Sequence, residues 1–204
     1  MSMNLVKLQR IKLNFLGNSI TEKGLRTGLA QMENLAEATE IDMNFSHSKI
    51  EDMGMKFLGL ALLTMKKLQK IRLILDFTGI TEKGCVYLGR MISQLDKLIH
   101  LDLSLKDNEI KLKGIQYVCQ GLLSTKKVRK LKIILDGTKI GDYAANYLAG
   151  CLLKMRCLLS VDLNMENCDL GEATMENITK LVKECSNRAE EITISMRRNS
   201  EIRK

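Results

Sequence analysis

Six cysteines and two histidines are the residues of this 204-residue chain whose types could hold a metal or attack a substrate. Cys85, Cys119, Cys151, Cys157, Cys168 and Cys185 show neither CxxC spacing nor a clustered framework, so reduced and mostly buried thiols are expected rather than ligands or bridges. Nothing matches GxGxxG after a strand, a P-loop, HExxH or a nucleophile elbow. Asn-x-Ser/Thr occurs at Asn44 and Asn177, inside regular elements, where it reads as accidental. The sequence therefore predicts neither catalysis nor a metal nor any other cofactor, and recognition by charge and apolar surface is what remains. The net charge of +8 poses the question of nucleic acid or another polyanion. Its basic residues cluster at expected helix ends, Lys66-Lys67, Lys126-Lys127, Lys154 and Arg156, and in the tail, Arg197, Arg198, Arg203 and Lys204. Cations at helix C-termini are favoured by the dipole, so these clusters have a structural reason to exist.

The elements that carry these residues follow from a repeat. "ITEKG" occurs at 20–24 and again at 80–84, and sliding the chain against itself by thirty residues aligns column after column. Ile11, Ile41, Ile71, Leu101, Leu131 and Val161 share one column. Leu13, Met43, Leu73, Leu103, Ile133 and Leu163 share the next, and Phe15, Phe45, Leu75, Leu105, Leu135 and Met165 a third. Alternation with polar residues makes these a strand with one buried face. The apolar period then lengthens to that of a helix, as in Met55, Leu58, Leu62 and Met65. Thr21 and Thr81 are suited to cap those helices, and acids such as Asp52 and Asp142 suit their positive ends. In the first unit, residues 11, 13, 15 and 20 should meet helix residues 25, 28, 32 and 35. Strand and helix in turn, neither able to bury its faces alone, predict a solenoid with stacked parallel strands.

Units such as "LQRIKLNFLGNSITEKGLRTGL" and "LQKIRLILDFTGITEKGCVYLG" resemble leucine-rich repeats of the ribonuclease-inhibitor-like type. The resemblance covers about six units from Leu5 to Arg188 plus a last strand at Ile192–Met196, and so almost the whole chain. It implies an α/β horseshoe with a parallel sheet on the concave face and helices on the convex face. The chain then reads as one domain over 1–204, with repeats from about residue 8 and a terminal strand and basic tail over 190–204. Asn18, Ser48, Thr78, Asn108, Thr138 and Cys168 occupy the family's Asn-like column, two residues later than usual, and are expected to bond the turn's backbone amides.

Mid-strand charges alternate from unit to unit: Lys12, Asp42, Arg72, Asp102, Lys132, Asp162. On strands ~4.8 Å apart this row should be a ladder in which opposite charges meet at every step. Phe57, Tyr87, Tyr117 and Tyr147 form another row, whose rings should pack over the small residues Gly59, Gly89, Cys119 and Ala149 of neighbouring helices. His47 and His100 fall on different units, roughly 20 Å apart by strand spacing, too far to share a metal or a proton.

These columns point to a non-catalytic scaffold that holds a protein partner on its concave face. The residues expected to do so are Lys70, Arg72, Ile74, His100, Lys106, Lys130, Lys132 and Ile134, because they combine cations with two apolar side chains on the outward face of the sheet. A first strand at Leu8–Phe15 with a free edge suggests a subunit of a larger complex. No apolar run reaches the ~20 residues a membrane span needs, and an intracellular, cytoplasmic or cytoskeletal location is expected. Binding to nucleic acid or another polyanion is the alternative. The resemblance implies two others, an inhibitor of the ribonuclease-inhibitor kind or a regulator of small GTPases; a basic horseshoe counts against the first.

Overall fold

In a computed structural model of the protein, residues 7–20, 22–186 and 189–199 are described, apart from the side chains of 22, 33, 34, 182, 183, 185 and 186. The expected cap Thr21, the thiol of Cys185 and the tail cations Arg203 and Lys204 lie outside the described residues.

Strand and helix alternate from end to end. The strands are β1 (Arg10–Asn14), β2 (Glu40–Asn44), β3 (Lys70–Ile74), β4 (His100–Ser104), β5 (Lys130–Ile134), β6 (Ser160–Asn164) and β7 (Glu191–Ser195). Between them run α1 (Glu22–Ala30), continued by a 3-10 turn over Gln31–Asn34, then α2 (Glu51–Leu62), α3 (Glu82–Ser93), α4 (Lys111–Ser124), α5 (Gly141–Lys154) and α6 (Glu172–Ser186). The seven strands form one open parallel sheet in sequence order. Its register is the repeat itself: Ile11, Ile41, Ile71, Leu101, Leu131 and Val161 pair in succession. At the last step Val161 faces Ile192, one position later than the period of thirty would put it. The sixth unit absorbs one extra residue, and α6, at 15 residues, is the longest helix.

The core lies between sheet and helices. From the second unit to the sixth, the three strand columns and the loop column Ile50, Ile80, Ile110, Ile140 and Leu170 are buried, each large side chain contributing ~1.5–3 kcal/mol. Their counterparts Ile11, Leu13, Phe15 and Ile20 are only partly buried, with the Phe15 ring stacked on Phe45 at 4.9 Å.

Two packing expectations are corrected. Gly28 is exposed, having no side chain to send into the core where Leu58, Leu88, Val118 and Leu148 are buried in the same column, and Leu29 is buried beside it, as Gly59, Gly89, Cys119 and Ala149 are in theirs. In the aromatic row the backbone, rather than the ring, meets the small residue: a Cβ added at Gly89 would lie 2.2 Å from the Tyr117 carbonyl oxygen. Phe57, Tyr87 and Tyr117 pack partly buried against the core, whereas Tyr147 is exposed.

Candidate functional site

Three rows of side chains line the concave face, one for each outward position of the strands. In the middle row Lys12 lies 3.6 Å from Asp42, and Arg72 bridges Asp42 at 3.5 Å and Asp102 at 3.1 Å. Lys132 bonds to Asp162 and forms no ion pair with Asp102, so the expected ladder is broken at one step. A lysine on β5 cannot reach both neighbours as the forked Arg72 guanidinium does.

The row towards the start of the strands reads Arg10, Glu40, Lys70, His100, Lys130. Glu40 takes Arg10 at 3.5 Å and Lys70 at 4.0 Å, a pairing the alternating charges of the neighbouring column had obscured. No acidic side chain among the described residues lies within 4.0 Å of Lys130. His100, in register between Lys70 and Lys130, has its pKa lowered, first by partial burial and then by Lys70, with Asp102 pulling the other way. Burial and Lys70 both favour the neutral imidazole. In the turn beyond, Lys106 meets Asp136 at 3.1 Å, and that hydrogen bond holds its ammonium above the usual range.

The third row carries the apolar pair. Ile74, Ser104 and Ile134 stand in register on adjacent strands, so the isoleucines are ~10 Å apart with a shorter side chain between them. Ser104 is buried and donates its hydroxyl to Asp76 Oδ1 at 2.5 Å, which ties down the floor of the trough. Both isoleucines are half-buried. The eight residues expected at a site thus fall on β3, β4, β5 and the turn after β4, on one continuous stretch of surface.

The turns after the strands follow a different logic from the one expected. Most of the polar column donates to carbonyls: Ser48 to Phe15, Thr78 to Leu75, Thr138 to Leu135 and the Cys168 thiol to Leu135. A hydroxyl or thiol has a proton to give, and these carbonyls, which already accept from Asn18, Asn108 and Thr138, have a second lone pair to receive it. Asn108 does both. Its amide nitrogen donates to Leu75, Leu105 and Lys106 carbonyls, and its oxygen accepts from the amides of Thr78 and Ile80. Asn199 repeats the arrangement one unit past the last helix, bonding the Met165 carbonyl at 2.6 Å and the Cys168 amide at 2.6 Å. The one-residue shift hid Asn199 from the thirty-residue alignment.

Another column has left-handed backbone throughout: Gly17, His47, Phe77, Asp107, Gly137, Asn167 and Arg198, with φ between 51° and 72°. Outside glycine such a residue costs ~1–2 kcal/mol, so the turn is imposed by its surroundings. The His47 and Phe77 rings stack at 4.6 Å. Thr81 caps α3 as expected, its hydroxyl accepting from Lys83. Asp52 does more than sit at the start of its own helix. It reaches the next unit, accepting from the Thr81 and Gly84 amides, both at 2.8 Å, and from the Thr81 hydroxyl, while Asp142 accepts likewise from Gly171.

Burial acts against thiolate formation at Cys85 and Cys168. Cys85, Cys119, Cys151 and Cys168 are buried and free; burial, with Asp52 and Glu82 nearby, pushes Cys85 up to about 12, and burial also raises Cys168. Cys157 departs from the expectation and is exposed, since it sits in a turn rather than on a helix stripe. Among the described residues no three His, Cys, Asp or Glu side chains gather as a metal site, and no helix is long and apolar enough to cross a membrane.

No protein-family model matches the chain, and no curated protein matches it in sequence. Solved structures do: 62 chains match. One of them, actin-binding site 2 (ABS2) of leiomodin-1, aligns with a TM-score of 0.54 over 79% of this chain and 91% of its own, at 18% identity. The fold is a leucine-rich-repeat-like solenoid. At that identity the likeness speaks for fold alone. Within the solenoid, strands form the concave sheet, helices the convex layer, and turns of two kinds the rims. One rim holds the turns after the strands; the other holds the turns after the helices.

Proposed function

We propose that the protein is a non-catalytic interaction scaffold in an intracellular assembly, and that its solenoid holds another protein against the concave face of β3, β4 and β5. The observation that carries this reading is the Ile74–Ser104–Ile134 trough: two half-buried isoleucines face outward where neighbouring columns are occupied by charges already paired with one another. Packing apolar side chains of a partner into the trough is worth up to ~2 kcal/mol for each isoleucine. Lys70, His100 and Lys130 lie beyond the middle row on one side of it, and Lys106 stands in the turn on the other. Arg72 and Lys132, held by their acids, supply a rigid polar frame that excludes mismatched surfaces rather than adding much affinity.

Two finer points belong to the same proposal. Units of about thirty residues with a full α-helix in each support the ribonuclease-inhibitor-like repeat type. Among the described residues, four buried free thiols and one exposed one suit a reducing compartment. The likeness to leiomodin-1 makes actin the first partner to try, by cosedimentation with filaments.

The test compares the native chain with Ile74→Ser/Ile134→Ser as bait for proteins from the native source, at low salt and at about 300 mM salt, where exposed ion pairs are screened. A protein retained at the higher salt by the native chain and released by the double variant, with the melting transition unchanged, is the expected result. Equal retention by both baits would defeat the reading.

A further inference from the structure

The turns that lead from helix to strand gather a cluster of exposed positive charge. They carry Lys66, Lys67 and Lys70 at β3, Lys97 at β4, and Lys126, Lys127, Arg129 and Lys130 at β5, all exposed, against Asp96 as the acid of these three turns. The helix dipole does not account for them. α2 ends at Leu62 and α4 at Ser124, so the lysine pairs lie in the turns beyond, and Lys70, Arg129 and Lys130 belong to strand entries. Nor are they neutralised. Lys67 pairs with Glu37 at 2.6 Å and Lys70 touches Glu40 at 4.0 Å, but Lys66, Lys97, Lys126, Lys127, Arg129 and Lys130 have no acid within 4.0 Å among the described residues.

At the centre of this basic rim is an exposed isoleucine. Ile99 is 39% exposed, and its backbone is locked in place by donating to the Gln69 carbonyl and accepting from the Arg129 amide, both at 2.8 Å. Gln9, Thr39, Gln69 and Arg129 occupy the same column on four other units and a half-buried Leu159 on the sixth, so Ile99 is the exposed apolar member of the column. Buried Leu68, Leu98 and Val128 pin the turns beneath, which leaves the cations no structural task and makes the platform rigid.

We propose that this rim binds an acidic segment of a partner protein that carries an apolar side chain, with Ile99 against the apolar group and the surrounding lysines on the carboxylates. An apolar centre ringed by charge has the anatomy of a protein interface. A nucleic-acid track instead asks for stacking rings, and the exposed residues of these turns include no aromatic. The rim shares Lys70 and Lys130 with the proposed concave site, but the middle row separates it from Ile74 and Ile134 and it does not depend on them, so each surface can fail without the other.

The probes are a fluorescent peptide of about twelve Glu and Asp residues with two central leucines, the same peptide with serines there, a single-stranded DNA of equal length, and vesicles containing phosphatidylserine. Binding is read by fluorescence anisotropy, or by sedimentation for the vesicles, at low and moderate salt. The leucine peptide should bind best of the four. Ile99→Ser should weaken it about fivefold without altering the melting transition, which corresponds to losing part of one isoleucine's burial. Lys66→Glu/Lys67→Glu/Lys126→Glu/Lys127→Glu should abolish binding, and Ile74→Ser/Ile134→Ser should leave it unchanged. Equal binding of the leucine and serine peptides, tighter binding of DNA or vesicles, indifference to Ile99→Ser, or no binding of the leucine peptide at low salt would each overturn the proposal.

Discussion

The two rims of the solenoid are built from the same residue classes and use them in opposite ways. On the rim after the strands, polar side chains are committed. Asn108, Thr78, Ser48, Thr138 and Asn199 are buried and spend their hydrogen bonds on backbone groups of their own turn and the unit before. Asp52 and Asp142 cap helices that belong to the following unit. On the rim after the helices the backbone closes its own turns, as where Met65 bonds to Leu62 and Leu68 to Met65, and buried leucines hold the turns down. Threonines help there, as Thr64 and Thr125 do by bonding Ala61 and Leu122, and most of the lysines are left over. The contrast teaches that charge at the first rim belongs to stability and charge at the second is available to a partner.

The contrast can be broken by stability measurements alone. Asn108→Ala should have the largest effect, because it strands the Thr78 and Ile80 amides in a buried turn; about 3 kcal/mol should be lost in urea unfolding. Asp52→Ala removes a cap shared between units and should cost about 1 kcal/mol, with the midpoint shifted and the slope kept. The fourfold lysine reversal at positions 66, 67, 126 and 127 should change stability by less than about 0.5 kcal/mol per site, since most of these side chains hold nothing. If that reversal unfolds the protein as readily as Asn108→Ala does, the two rims are not distinct in the way described.

Much of the fold was legible because a solenoid repeats its own code. Each strand column returned to the same buried place, and the ladder pairs Arg72–Asp42 and Arg72–Asp102 lie where alternating charge put them. The site was legible only in part. Ile74 and Ile134 could be assigned to the outward face by alternation, but not the fact that Ser104 lies sunken between them and tied to Asp76. Asn199 was missed through a single inserted residue, which breaks a periodic alignment without breaking the fold. The left-handed column escaped notice because its occupants, Gly, His, Phe, Asp, Gly, Asn and Arg, share no chemistry. They share a backbone conformation enforced by the turn, and residue type reports that weakly once the surrounding hydrogen bonds outweigh the local preference.

By itself the amino-acid sequence determined the period, the face each apolar residue takes, the order of strands and the parallel sheet, because a period-two run followed by a helical stripe has one way to bury both faces when it recurs every thirty residues. The tertiary structure decided which partner each polar side chain chose. Whether Asp52 serves its own helix or the next, whether Lys132 turns to Asp102 or Asp162, and whether Ile99 is covered or left at the centre of a basic rim all depend on distances between units rather than along the chain. Such distances are set by how the stacked units twist and how closely their helices approach, as at Gly89 and Tyr117, and a linear pattern does not contain them.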